Sequence, residues 1–204
     1  LKKSIFITGT DTDIGKTVVS RAISEKLVES GKHAVYYKPV QSGGYGDTDE
    51  LSGCGIRVAN SYTMKEPCSP HLSSELERVE ISRAKILDDY NHMAENADYI
   101  IVEGAGGIVV PIVRGEYYMW QMMLELGVPV LLVTELRVGG INHTLLSYEF
   151  LKSKGIEVRS IFANRYAGSE FEQDNKRVVE AYTGLEVITE FKGVEDVEKL
   201  FLQR

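Results

Sequence analysis

Gly9-Thr10-Asp11-Thr12-Asp13-Ile14-Gly15-Lys16-Thr17 follows the apolar run Ser4-Ile5-Phe6-Ile7 and leads into Val18-Val19-Ser20-Arg21-Ala22-Ile23. A β-branched strand, a glycine-bounded turn and a helix form the context that a phosphate loop requires. In such a turn successive backbone N–H groups face one centre, and the helix N-terminus adds the positive end of its dipole. Lys16 then reaches the β- and γ-phosphates of a nucleotide, and the Thr17 hydroxyl ligates Mg2+. One detail departs from the common pattern: five residues separate Gly9 from Gly15, so Thr10 stands where the first glycine usually does. The competing reading is a plain glycine turn ahead of an amphipathic helix, which the strand–turn–helix context disfavours.

Outward from that loop the pattern alternates. Residues 18–30 read as an amphipathic helix closed by Gly31, and Ala34-Val35-Tyr36-Tyr37 as a second strand. Residues 45–74 carry scattered Gly, Pro and Ser and read as one irregular stretch, which in a compact domain is usually functional. A helix over 80–96 precedes a strand over 98–102, which runs into Glu103-Gly104-Ala105-Gly106-Gly107. A helix over 117–126 ends at Gly127, and 128–133 is the most apolar strand, as expected of one covered on both faces. A helix over 141–154, a strand over 158–163, a helix over 171–182, a short strand near Val187 and a helical tail from Val194 complete the reading. Strands alternating with helices of this length predict an α/β fold of three layers, a mostly parallel sheet with helices on both faces. With the phosphate loop, this is the P-loop NTPase architecture. No repeat or linker divides the chain, so 1–204 is expected to be a single domain.

Composition narrows the function. Apolar residues at 43% and charged residues at 26% describe an ordinary soluble globular protein. A net charge of −7 argues against a nucleic-acid partner, which would call for a basic face. No apolar run approaches the ~20 residues of a membrane span, and with a strand at the N-terminus no signal peptide is expected. A cytoplasmic protein without a membrane partner is expected, with Cys54 and Cys68 as reduced thiols. The first residue is Leu, so the numbering is expected to lack the initiator Met.

Three further segments can carry chemistry. Lys38 follows a strand, is fixed by Pro39, and would place an ammonium beside the phosphate loop, with Gln41-Ser42-Gly43 next to it. Glu103 closes an apolar strand, where a carboxylate binds Mg2+ directly or through water in P-loop proteins. Asp47, Asp49 and Glu50 form an acidic cluster; a solvated face accounts for most of it, and one member can complete the metal shell. His71 and His143 stand alone, and Met119, Trp120, Met122 and Met123 at helical spacing read as core.

The set of motifs resembles the dethiobiotin synthetase family. The residues that carry the resemblance are the nine-residue loop at 9–17, Tyr37-Lys38-Pro39-Val40-Gln41-Ser42-Gly43, Glu66-Pro67-Cys68-Ser69-Pro70-His71, Val102-Glu103-Gly104-Ala105-Gly106-Gly107, Gly140-Ile141-Asn142-His143 and Ala163-Asn164-Arg165. They come in order from residue 4 to about 166, and the extra residue in the phosphate loop is a feature of that family. The resemblance implies a homodimeric α/β domain of the nitrogenase iron protein and ParA type. It implies synthesis of dethiobiotin from 7,8-diaminononanoate, CO2 and ATP with Mg2+, through a carbamate and a carbamic-phosphoric anhydride. Lys16 and Lys38 would be catalytic with Thr12 and Ser42, the latter two and Lys38 also binding substrate. Asp13, Ile14, Gly15, Lys16, Thr17 and Val18 would surround the nucleotide, with Glu103, Gly104, Ala105, Gly106 and Arg165 and, at the base, Asn164. Thr17, Asp49 and Glu103 would hold Mg2+. Gly139, Gly140, Ile141 and Asn142 of the other subunit would receive the substrate's distal carboxylate, at a helix N-terminus suited to an anion. Asp13 stands where the family commonly has Glu, and Leu185-Glu186-Val187-Ile188-Thr189-Glu190-Phe191 lacks the family's Gly-x-Ile-Pro segment.

Two other readings compete. A ParA- or MinD-like switch ATPase usually carries a second lysine early in the loop, where this chain has Gly9 to Asp13 with two acids and no lysine. An amidotransferase resembling cobyrinate diamide synthetase needs a glutaminase domain, for which the chain is too short.

Overall fold

The computed structural model describes residues 3–202; Leu1, read as following a lost initiator methionine, lies outside them. β1 (Lys3–Gly9) enters the phosphate loop and α1 (Lys16–Glu29) leaves it. β2 (Ala34–Tyr37), β3 (Val40–Gln41), α2 (Gly46–Ser52), β4 (Arg57–Ala59), β5 (Tyr62–Thr63), α3 (Pro70–Glu77) and α4 (Arg83–Glu95) follow. Next come β6 (Tyr99–Gly107), β7 (Pro111–Val113), β8 (Tyr117–Tyr118), α5 (Met119–Leu126) and β9 (Val130–Thr134). The described chain finishes with α6 (Gly140–Ser153), β10 (Val158–Ala163), α7 (Glu170–Thr183), β11 (Val187–Ile188) and α8 (Val194–Lys199).

Seven strands form one sheet in the order β11-β10-β9-β1-β6-β2-β4, and every pairing in it is parallel. Parallel neighbours require crossovers, and the crossover helices cover both faces. The strands show it residue by residue, because side chains alternate between faces with period two. Phe6, Val130 and Leu132 join one core with α4, α5, α6 and α7, while Ile5, Ile7, Leu131 and Val133 join the other with α1, α2 and α8. All five residues of β9 are buried, which explains its unbroken apolar run. Met119, Met122 and Met123 are buried on the first face, as the helical apolar stripe predicts. Each fully buried aliphatic side chain of this kind contributes about 1.5–3 kcal/mol.

The stretch 45–74 is not irregular, as its composition suggests. It holds α2, β4, β5 and α3, and β4 supplies the seventh strand of the sheet. These elements are too short for a periodic pattern: α2 buries only Thr48 and Leu51, and β4 lies at the sheet edge with none of its residues buried. β6 also runs further than Val102, through the glycines, because Gly107 still pairs with Gly9. α4 begins later than residue 80, after Ser82, whose hydroxyl accepts the Lys85 N–H at its start. Tyr117 and Tyr118 pair with β7 in a hairpin ahead of α5. No helix among the described residues is long and apolar enough to cross a membrane.

The turn from β9 into α6 is tight. Gly140 donates its N–H to the Arg137 carbonyl at 2.8 Å, and a Cβ there would overlap the Glu135 carbonyl. Gly140→Ala is therefore expected to lower stability by about 1–3 kcal/mol. The readout is a lower urea midpoint at unchanged slope; an unmoved midpoint would show that this turn yields without strain.

Candidate functional site

The phosphate loop is built to receive an anion. Gly15 caps α1 at φ +93°, a left-handed conformation that side chains rarely adopt, and no side chain accepts a hydrogen bond from the first-turn N–H groups. Those donors open onto the loop with the positive end of the helix dipole behind them. Lys16 folds back over the loop, its Nζ donating to the Asp11 carbonyl at 3.2 Å. Burial pushes the Lys16 pKa down; Glu103 opposes that, Lys38 adds to it, and the net shift is downward. A cation 7% exposed with one backbone acceptor lacks the partners that burial demands.

Glu103 forms the floor. Its residue is 1% exposed, and three side chains donate to it. The Thr17 hydroxyl reaches Oε1 at 2.9 Å, the Lys38 ammonium reaches the same oxygen at 2.9 Å, and the Ser20 hydroxyl reaches Oε2 at 2.6 Å. Lys38 also pairs with Asp47 of α2. Burial alone would lower the Lys38 pKa, but the Glu103 and Asp47 carboxylates outweigh it and hold it above the ordinary value. The backbone of Lys38 is fixed as well, its N–H donating to the Ala59 carbonyl at 2.9 Å and its carbonyl accepting from Asn60 Nδ2 at 3.0 Å.

Above this floor opens a cleft of about 870 Å³. Thr12, Asp13, Gly15, Lys16, Thr17 and Val18 line it from the loop; Lys38, Ser42, Glu103, Ala105, Gly106 and Arg165 line it from the other strand ends. All of these were expected at the site from sequence. Ile14 and Gly104 are buried beside it. Asn164 sits behind the loop and donates from Nδ2 to the Ile14 carbonyl at 2.9 Å, against the face of Gly15 where a Cβ would overlap its amide. Arg165 donates to the Asp13 carbonyl at 3.2 Å and pairs with Glu135. Thus β10 clamps the loop from below.

Two expectations fall elsewhere. Asp49 is exposed and does not line the cleft, whereas Asp47 of the same helix does. Gly139, Gly140, Ile141 and Asn142 lie at the start of α6 and are not part of the cleft in the same chain. The sequence reading also passed over Ser20. Its only signal is its position three residues after Thr17, which places both on one face of α1. Pro67, Cys68, Ser69 and Pro70 form a wall opposite the loop, from the segment that the family motif at 66–71 singles out.

The donors present suit Mg2+. Thr17, Glu103 and Asp47 offer hard oxygens around one point, and a cation, the Lys38 ammonium, already lies between the two carboxylates. Two carboxylates and a hydroxyl would fit Mg2+, which takes one or two carboxylates with phosphate oxygens and water completing the shell.

Comparison with known proteins agrees with this geometry. A family profile described as "AAA domain" matches residues 3–199. Among solved structures, the MinC:MinD cell division protein complex of Aquifex aeolicus superimposes with a TM-score of 0.61 at 18% identity, covering 97% of this chain and 85% of that one. The ParA family ATPase of Chlorobium tepidum gives 0.60 at 16% identity, covering 98% and 88%. Both likenesses speak for the fold, a P-loop NTPase. The ATP-dependent dethiobiotin synthetase BioD of Clostridium perfringens is 38% identical over 98% of this chain and 94% of its own length. A match of that extent, with the phosphate loop and the lysine–glutamate floor in place, makes this chain a member of the ATP-dependent dethiobiotin synthetase family.

Proposed function

We propose that this chain, acting as one domain, makes dethiobiotin from 7,8-diaminononanoate, CO2 and ATP, as a cyclo-ligase that forms C–N bonds. One amine of the diamine attacks CO2, loses a proton and becomes a carbamate. A carbamate oxygen attacks the γ-phosphorus, ADP leaves, and a carbamic-phosphoric anhydride results. The second amine then attacks the carbonyl carbon, phosphate departs, and the ureido ring closes. Both anions, carbamate and triphosphate, must approach each other, so stabilising negative charge is the main demand on the protein.

The observation that carries this reading is the second buried lysine. A phosphate loop alone needs Lys16; Lys38, brought in by β2 and set on the Glu103 floor, places a further ammonium in the same cleft. Lys16 holds the phosphates. Lys38 holds the carbamate and the charge that develops during transfer, with Thr12 and Ser42 on the walls to bind the diamine end. A bound Mg2+ would supply charge neutralisation at the phosphates. Thr17 and Glu103 would hold it, and Asp47, rather than Asp49, would add the second carboxylate, because Asp47 lines the cleft. Asp13 and the loop N–H groups surround the phosphates. Asn164 and Arg165 adjoin the base; Asn164 keeps one amide N–H and its carbonyl available after bonding Ile14.

The carboxylate end of the substrate is assigned to 139–142 of a second copy. Val138, 80% exposed, precedes that helix start and Leu146, 64% exposed, lies further along α6, leaving apolar surface suited to a homodimer contact. The switch-ATPase reading shares the fold but gives Lys38 and Ser42 no task.

The assay that tests the proposal is phosphate release from ATP and Mg2+ with bicarbonate, with and without diaminononanoate, followed by product mass. Diamine-dependent release with a gain of one carbonyl bridge supports it; release indifferent to the diamine, with no new product, supports the switch. Lys16→Ala and Lys38→Ala are each expected to lower turnover by about 100-fold or more, the scale of losing one charge-stabilising donor. Near-normal turnover in either purified variant would remove that residue from the reaction. Asp47→Asn should raise the Mg2+ concentration for half-maximal turnover by about 10-fold, while Asp49→Asn leaves it unchanged; the reverse order would return the metal role to Asp49.

A further inference from the structure

We propose that Glu103 is a divided carboxylate: Ser20 anchors Oε2, and Oε1 is a single exchangeable oxygen that Lys38 holds until a divalent cation takes it. Cation binding and the release of Lys38 into the cleft are then one event. This rests on the reading of the cleft as a magnesium-nucleotide site, and goes beyond it by naming what the cation must displace.

The bonds at Glu103 carry the inference. Oε1 accepts from both Thr17 Oγ1 and Lys38 Nζ, each at 2.9 Å, so both of its lone-pair directions are in use. Oε2 accepts from Ser20 Oγ at 2.6 Å, and Ser20 is wholly buried. Thr17 and Lys38 differ in what they can share. A hydroxyl that donates its proton to Oε1 still has lone pairs for a metal, so Thr17 can keep this bond and coordinate. An ammonium has no lone pair and carries a positive charge, so it cannot remain on an oxygen that a divalent cation also holds. Lys38 is the partner that must leave.

It has somewhere to go. Asp47 also holds its ammonium through Oδ2, from a side chain only partly buried at the cleft wall, and its Oδ1 is left for the cation; Lys38 and Ser42 line the same cleft. The lysine stem has four rotatable carbons, whereas the Lys38 backbone is pinned by Ala59 and Asn60. The displacement is thus confined to the side chain. Ser20 makes the exchange obligatory. With Oε2 held in the core, the carboxylate cannot turn to offer one oxygen to the ammonium and the other to the metal. Ser20 touches neither nucleotide nor diamine; it is a positioning residue that acts through Glu103.

The test is metal binding, not turnover. Mn2+ takes the same octahedral oxygen coordination as Mg2+, and its free-ion electron paramagnetic resonance signal reports binding to the protein with a non-hydrolysable ATP analogue at saturation. Glu103→Gln is the control and should weaken Mn2+ binding; if it does not, the site reading itself fails and this proposal with it. Given that control, Lys38→Met is expected to bind Mn2+ at least about 5-fold tighter than wild type, because the competitor is gone. Lys38→Gln, which keeps a hydrogen-bond donor without the charge, should shift the same way and serves if the methionine variant does not fold. Binding as weak as wild type or weaker in the folded variants overturns the exchange, while leaving the site reading intact. Ser20→Ala should weaken Mn2+ binding by about 10-fold, the usual effect of removing a partner behind a metal ligand. In the Ser20→Ala background the added Lys38→Met substitution should bring little gain, since with lysine present the freed carboxylate already serves both cations on separate oxygens. Additive effects of the two substitutions would show that Ser20 supports the fold without linking lysine to metal.

Discussion

The buried carboxylate of Glu103 joins the parts of this molecule that chemistry needs. It is supplied by β6, and its hydrogen-bond donors come from α1 and from the residue just after β2. Strand register brings them together: β1 Ile7 pairs with Glu103, and β2 Tyr37 pairs with Val102, so Lys38 emerges beside the carboxylate and the phosphate loop begins just above it. A one-residue slip in either ladder would turn the charged side chain into an apolar layer. The glutamate can be dry only because three donors satisfy it, and an unpaired buried charge is among the most destabilising defects a core can hold. Architecture and site therefore constrain each other through this one side chain.

Two lysines at similar burial have opposite electrostatic fates. Lys16 rests on a single carbonyl and its pKa is pulled down by burial; Lys38 lies between two carboxylates and is held up against the same penalty. The difference suits the roles assigned to them. A triphosphate arriving at the loop supplies the counter-charge that Lys16 lacks, so binding relieves an existing penalty. Lys38 has its counter-charges before any ligand arrives, and must exchange one of them to act. On the proposed roles, the first lysine would favour nucleotide binding, and the second would tie its own freedom to what binds at Glu103.

Much of this was legible in the sequence, and the exceptions have a common cause. The phosphate loop, the five long strands of the sheet and the helices between them follow from glycine placement and apolar period over segments long enough to show one. Asp47 and Asp49 could not be separated that way. Two residues apart on a helix, they point in nearly opposite directions, so choosing between them requires knowing that a helix is there and how it is rotated. Its seven residues, with two buried positions, give no such phase. Ser20 hides for another reason: a serine inside an amphipathic helix looks like any polar residue until its partner, far along the chain, is placed beside it. Asn164 is a subtler case. Motif resemblance assigns it to the nucleotide base, and the fold additionally uses its amide to hold the Ile14 carbonyl beneath the loop.

The position of α6 bears on how large the working unit must be. Its first turn, capped by Gly139 in a left-handed conformation, has no side-chain acceptor for its free N–H groups, the same unfilled arrangement that opens α1. Of these two helix starts, that of α1 opens into the cleft and that of α6 does not. On the proposed function the substrate carries a carboxylate at the far end from its reacting amines, while Lys16 and Lys38 on the cleft wall are engaged by phosphate and carbamate. A second copy presenting 139–142 would complete the binding surface without adding to the charge around the phosphates. On that proposal exposed Val138, just before the turn, and Leu146, further along α6, would lie against the second copy, since a substrate with anionic groups at two separated points is best held between two surfaces that each neutralise one.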